Sequence, residues 1–297
     1  MFSSLYFIAF SACAALVSAG TNVTGFYPQI KGNLTMITWE HDSQPPFNDE
    51  WVMMLSENIT SIKDKSGVIT PVLNKNQKVT LENLLGSVEL TNIYYNVSKG
   101  HGEGVKLQFT EVDAMSSSLP ILQKHSKANY PMVIAADILE GTSKPTLDSS
   151  MFFKLLENSK DLADKVILSV GWTNNAKLRA YPDDGIKEMG KILKDKKDFN
   201  FNFPVRACAV AKTNSTFKQL LTNITGSTVT VFSMPNDTVN VDALRSFVLD
   251  IGVNRTFLDV PQDLRDKLRL DQKASGSFRT VSALGVIAWA ALLLRLF

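Results

Sequence analysis

Two alternating periodicities constrain this chain more than any other feature. Short apolar, β-branched runs recur at residues 34–39, 51–55, 67–72, 105–109, 131–136, 165–170, 204–210, 229–233 and 256–260. Between most of the later runs lie segments whose apolar residues fall near i, i+3 and i+4. Examples are Phe152-Phe153-Leu155-Leu156 running to Leu162, Ile186-Met189-Ile192-Leu193, Phe217-Leu220-Leu221 and Val241-Leu244-Phe247-Val248. Strand and helix in alternation call for a parallel sheet covered by helices. Met132-Val133-Ile134-Ala135-Ala136 is apolar on both faces, as a buried parallel strand must be. The second and third runs are joined by a polar stretch with no helical period and read as a hairpin-like excursion. Counted as one, that pair leaves eight barrel strands, which suit a single α/β domain, a (β/α)8 TIM-like barrel.

The two ends of the chain obey neither period. Residues 1–20 are apolar and small, carry no charge and close on Val17-Ser18-Ala19-Gly20, the pattern of a cleaved secretory signal; an uncleaved anchor is the alternative. At the other end, Ala274, Ser275 and Gly276 precede a short polar spacer and an apolar run, 281–297, interrupted only by Arg295. Small residues, spacer and hydrophobic tail together resemble a GPI-attachment signal. A short transmembrane tail is the other reading, although 17 residues span only about 25 Å as a helix against a bilayer core of about 30 Å. Setting both ends aside leaves residues 21–273, close to the size of about 250 residues usual for such a barrel.

Composition narrows the compartment and the partner. Lys and Arg number 31 against 29 Asp and Glu, a net charge of +2 that offers no basis for nucleic-acid binding. Sequons occur at eight positions, Asn22, Asn33, Asn58, Asn96, Asn214, Asn223, Asn236 and Asn254, where chance predicts about three. That excess points to a secreted, extracellular glycoprotein. Cys13 departs with the signal, so no intrachain disulfide is expected in the mature chain, and Cys208, in an apolar run, reads as a buried inert thiol.

Several strings together resemble the menorin family. They are Ile37-Thr38-Trp39-Glu40-His41, Gly104-Val105-Lys106-Leu107-Gln108-Phe109, Ala136-Asp137-Ile138-Leu139 with Gly141, Leu168-Ser169-Val170-Gly171-Trp172-Thr173 and Phe203-Pro204-Val205-Arg206-Ala207. The segments around Thr80-Leu81-Glu82 and from Tyr181 to Met189 fit the same order, so the resemblance covers about residues 34–261. It implies a phosphodiesterase-type barrel, similar to glycerophosphodiester phosphodiesterases and sphingomyelinase D. Such enzymes hold a divalent cation on carboxylates at the carboxyl-terminal rim, with two histidines as acid and base.

At the corresponding positions this chain keeps the first histidine, His41, and departs elsewhere. The family's Glu-x-Asp falls on Ser56-Glu57-Asn58, its second histidine on Pro71, and its Asp-Phe-Lys on Gln108-Phe109-Thr110. Neutral oxygens in place of carboxylates lose most of the charge that holds a hard cation, and proline cannot move a proton. A glycan on Asn58 would obstruct the same rim. Asp137, Trp172, Thr173, Tyr181 and Arg206 are retained. Asp137 needs a partner at its strand end, for which Arg206 is the candidate. Glu57, Asp137, Trp172, Tyr181 and Arg206 are the candidate ligand contacts, with Glu57 directed inward only if the strand register shifts.

Three functions fit these residues. The first is a catalytically degenerate surface protein that binds or adheres to an extracellular protein or glycan, with membrane attachment through the C-terminal anchor and no cofactor. The second is a divergent phosphodiesterase using His41, Glu57 and Asp137 with Mg2+ or Ca2+. The third is a carrier of a small ligand beside Trp172.

Overall fold

The computed structural model describes residues 36–39, 51–73, 79–98, 104–127, 130, 132–163, 165–174, 178–210 and 214–270. His41, the sequons at Asn22 and Asn33, the segment 1–20 and the tail 274–297 with its candidate lipidation sites lie outside the described residues. Among the described residues, no helix is long and apolar enough to cross a membrane.

The alternation expected from the two periods is present. Strands β1 (Met36–Trp39), β2 (Trp51–Lys63) and β3 (Ile69–Val72) come first. Then follow α1 (Leu81–Ser98), β4 (Gly104–Phe109), α2 (Val112–His125), β5 (Met132–Leu139), α3 (Ser149–Glu157) and β6 (Ile167–Trp172). The remainder is α4 (Asp183–Leu193), β7 (Asn200–Arg206), the single turn α5 (Ala207–Val210), α6 (Asn214–Asn223), β8 (Thr228–Phe232), α7 (Val241–Ile251), β9 (Thr256–Asp259) and α8 (Gln262–Leu268). Local chemistry marks several of the helix starts. Asp148 accepts from the Met151 amide at 2.9 Å, and Asn240 accepts from that of Ala243 at 3.0 Å, each satisfying an amide the first turn leaves free.

All nine strands join one sheet in the order β1-β9-β8-β7-β6-β5-β4-β2-β3, and β1 also pairs with β2. Eight of them run parallel, and only β3 opposes its neighbour β2. This α/β arrangement is consistent with the expected TIM-like barrel. The excursion read between the second and third runs is a hairpin. Its turn is closed by Asp64, whose carboxylate accepts from the amides of Ser66 at 2.8 Å and Val68 at 3.0 Å, with Gly67 in the left-handed region at φ 89°.

The sequence and the structure part company at two strands. β2 continues through the polar Ser56 to Lys63 because β4 and then β3 supply hydrogen-bonding edges. β7 begins at Asn200 and ends at Arg206, where a strand over 204–210 is expected; 207–210 turn instead into α5. The missed half, Asn200-Phe201-Asn202-Phe203, alternates polar and aromatic. Phe201 packs toward α3 against Phe153, with ring centroids 6.5 Å apart, whereas Asn202 turns to the other face. There Asn202 is 4% exposed and hydrogen-bonded across strands. It donates to Thr228 Oγ1 at 2.9 Å and accepts from Thr230 at 3.0 Å and Ser169 at 3.4 Å. The two faces are thereby identified: an outer one packed on helices, and an inner one carrying this polar ladder.

Candidate functional site

Strand register gathers polar residues on the inner face, and two of them, Asp137 and Asp259, stand near the carboxyl-terminal ends of β5 and β9, where converging loops build sites in folds of this class. In β4, Lys106 and Gln108 lie opposite Ser56 and Asn58 of β2, and opposite Val133 and Ala135 of β5. Paired residues of parallel strands share a face, so Ser56, Asn58, Lys106, Gln108 and, two residues past Ala135, Asp137 all belong to one surface. Asp259 reaches the same surface from the end of β9, opposite Phe232. Asn58 is exposed, and Ser56, Lys106, Gln108, Asp137 and Asp259 are half-buried.

An ammonium set among these groups is the electrostatic centre of the surface. Burial pushes the Lys106 ammonium down from its ordinary pKa, and the charges of Asp259 and Asp137 offset part of that fall. Burial likewise pushes the Asp137 carboxyl up to about 6, against the opposing pull of Lys106. Gly171 makes room for this carboxylate. A Cβ at Gly171 would stand 3.0 Å from Asp137 Oδ1 and 3.2 Å from Pro204 Cγ, so a side chain there would crowd both groups.

Arg206 is occupied elsewhere, which corrects the expected Asp137–Arg206 pair. Its guanidinium grips Asp237 of the loop after β8, Nε donating to Oδ2 at 2.9 Å and Nη2 to Oδ1, with both side chains almost wholly buried. Burial opposes the Asp237 charge, yet hydrogen bonds from Arg206 and the Met234 amide hold its carboxyl below the usual range. The Arg206 amide donates to the Tyr181 hydroxyl at 2.9 Å. Arg206 and Tyr181 therefore brace the rim and do not present free polar groups to a ligand. Cys208 next to this pair is half-buried, where full burial is expected, and burial raises its thiol pKa and keeps it protonated.

Trp172 is corrected as well. It lies on the outer face with no exposed surface, donates from Nε1 to the Gly185 carbonyl at 3.2 Å, and packs against Tyr181 and Phe217 at centroid distances of 5.3 and 5.6 Å. It joins sheet to helices and cannot act as a stacking platform at the mouth. Thr173 clasps two loops: its hydroxyl accepts from the Gly141 amide at 2.9 Å and donates to the Ser143 carbonyl. Gly141 has no room for a side chain, since a Cβ would stand 2.3 Å from the Thr173 carbonyl oxygen.

The substituted positions divide into two groups. Ser56, Asn58 and Gln108 come together on the inner face, whereas Glu57 pairs with Leu107 on the outer one, so no register shift brings its carboxylate inward. Pro71 is buried on β3 opposite Ser61, five positions beyond Ser56 along β2. The hydroxyls of Thr60 and Ser61 next to it donate to Glu111 at 3.1 and 3.2 Å, tying the hairpin to the start of α2. Thr110 is exposed just past β4. Among the described residues no group of three or more His, Cys, Asp or Glu side chains could hold a metal ion.

Lys106, Asp259, Asp237 and Asn202 carry much of this chemistry and escape reading from the sequence alone. A lysine in the apolar string Gly104 to Phe109 was the available signal, because strand alternation must turn it to one face or the other.

Residues 33–265 match the family model described as the Menorin N-terminal domain. No curated protein sequence matches the chain. Among solved structures, the homocysteine methyltransferase MmuM from Escherichia coli in its apo form is similar at 13% identity and a TM-score of 0.40, with 73% of this chain and 78% of that chain covered.

Proposed function

Since this chain belongs to the menorin family, we propose that it is an extracellular, cell-surface glycoprotein whose menorin-type domain has exchanged phosphodiester chemistry for binding or adhesion. In this reading residues 21–273 form one (β/α)8 barrel, 1–20 are removed as a signal, and Ala274, Ser275 or Gly276 receives a GPI anchor. Pairing of β1 with both β2 and β9 supports closure of the barrel. Secretion is supported by the side chains of Asn58, Asn223, Asn236 and Asn254, all exposed and open to glycan addition.

The observation that carries the loss of catalysis is the Lys106 ammonium on the same face as neutral Ser56, Asn58 and Gln108. This donor set does not fit Mg2+ or Ca2+. Hydroxyl and amide oxygens bind such ions only with carboxylates to supply charge, and the two on this face, Asp137 and Asp259, already act on the Lys106 ammonium. With catalysis gone, the rim remains as a recognition surface for an extracellular protein or glycan.

Titration calorimetry of the secreted protein with Mg2+, Ca2+ and Mn2+ tests the reading. The expected result is no stoichiometric binding, and no turnover of a lysophospholipid or glycerophosphodiester. Tight binding of one ion, or turnover lost in His41→Ala, overturns it. A cell-surface pull-down that recovers no specific extracellular partner counts against adhesion.

A further inference from the structure

Helix α4 carries Lys187 and Lys191, and Lys194 follows in the residue that caps it with helical backbone angles. The spacing i, i+4, i+7 stacks these three ammonium groups on one side over about 10 Å of helix axis. That side overlooks α6 across a groove of about 570 Å3. The lysines form one wall, and the exposed amides of Gln219 and Asn223 stand on the other. Two contacts set the geometry. The Thr216 hydroxyl donates to Asp183 at 2.6 Å and joins the starts of the helices, while Gly190, whose Cβ would stand 3.5 Å from Leu220 Cδ1, brings no side chain into the space between them. The two helices cover Trp172 on the outer face, so the groove lies on the outside of the helix layer and away from the inner-face mouth.

The groove is cationic although the chain as a whole is nearly neutral. Among the described residues, no carboxylate lines it. Lys187 reaches Asp184 at 3.8 Å and Lys191 reaches Glu188 at 3.4 Å, each along α4 itself and with all four side chains more than half exposed. Exposed pairs of this kind hold weakly and exchange readily for an outside anion.

We propose that the groove between α4 and α6 binds a linear sulfated polysaccharide, its sulfates on Lys187, Lys191 and Lys194 and its hydroxyls on the amides of Gln219 and Asn223. The choice of an extracellular polyanion rests on the reading above, and the site is a second one, separate from the rim.

The walls and floor select this class over other anions. Both walls are helices, whose backbone groups are paired internally, so an extended acidic peptide finds no strand edge on which to satisfy its own amides. The floor residues Ile186, Leu220 and Ile224 are 1, 3 and 8% exposed and offer little apolar surface to anchor an acidic helix. A bilayer is flat and would touch the lysine tips without entering the concavity. A polysaccharide needs neither apolar anchors nor a strand edge, and it brings anions for one wall and hydroxyls for the other.

Heparin is the probe. Binding is measured by titration calorimetry on the full secreted chain carrying Asn223→Gln, which keeps an amide in the wall and removes the sequon, so that no N-glycan of the protein itself covers the groove. Joint replacement of Lys187, Lys191 and Lys194 by glutamine is expected to weaken binding at least about tenfold. It should also lower the slope of log affinity against log salt by about two to three, one counter-ion for each ammonium removed. Joint replacement of Lys127, Lys144 and Lys154, exposed on other elements, removes the same charge and should change affinity by less than about twofold. No binding of heparin, or an equal loss in both triple variants, overturns the proposal. So does competition by polyglutamate as effective as that by heparin at equal charge, which assigns the groove to an acidic protein segment, or binding to phosphatidylserine vesicles without binding to heparin. Each of these failures would leave the extracellular reading intact, whereas sequons found bare in the native protein would count against that reading whatever heparin does.

Discussion

Arg206 and Asp237 show how one residue pair stabilises a rim. Both are buried, and each satisfies the other's charge, so removing either leaves an uncompensated ion. Asp237→Asn is expected to cost about 3–5 kcal/mol at pH 7, the usual penalty for breaking a buried pair. The pH dependence follows from the direction of the shift. The folded protein holds the Asp237 carboxyl below its ordinary value of 3.8, so the pair's contribution is full above about pH 4 and is lost as pH falls through the depressed value. Urea melts of wild type and Asp237→Asn should therefore differ most at neutral pH and converge in acid. A gap that stays constant down to pH 2 would mean that the pair contributes through packing and not through charge. Asp237 was illegible in the sequence because it stands in a polar loop 31 positions from its partner, with no period to mark it.

At the scale of elements, helices attach to the sheet through aromatic contacts on the outer face. Trp172 at the end of β6, Tyr181 before α4, Phe217 of α6 and Phe247 of α7 form a run of tilted and edge-on contacts with centroids 5.3 to 6.0 Å apart. Trp172→Ala should cost about 3–5 kcal/mol of stability by denaturant melting. An unchanged melting midpoint would mean that the indole does not join sheet to helices. The outer-face elements were readable because an amphipathic helix and a β-branched strand announce themselves over a few residues. β7 was misread for the opposite reason: Asn200 and Asn202 break the apolar pattern, and only the hydrogen bonds to Ser169, Thr228 and Thr230 make asparagine acceptable inside.

For the whole molecule, the surface carries the functional prediction. Asn58 is exposed beside the Lys106 face, so an attached glycan would stand over the mouth. Enzymatic removal of N-glycans, or Asn58→Gln, is expected to reduce the mass of the protein; peptide mapping that finds Asn58 bare removes the glycan from the mouth. Release of the protein from cells by a GPI-cleaving phospholipase checks the anchor, and retention in the membrane after cleavage favours a spanning tail. The sequence by itself determined the alternation of strand and helix and the excursion between the second and third strands. Each of these is written in neighbouring residues or in a residue type. The tertiary structure alone decided that Lys106 shares a face with Asp137 and Asp259, and that Arg206 meets Asp237. The physical reason is that such meetings depend on the register of strands far apart in the chain, and a shift of one residue would turn each side chain to the opposite face.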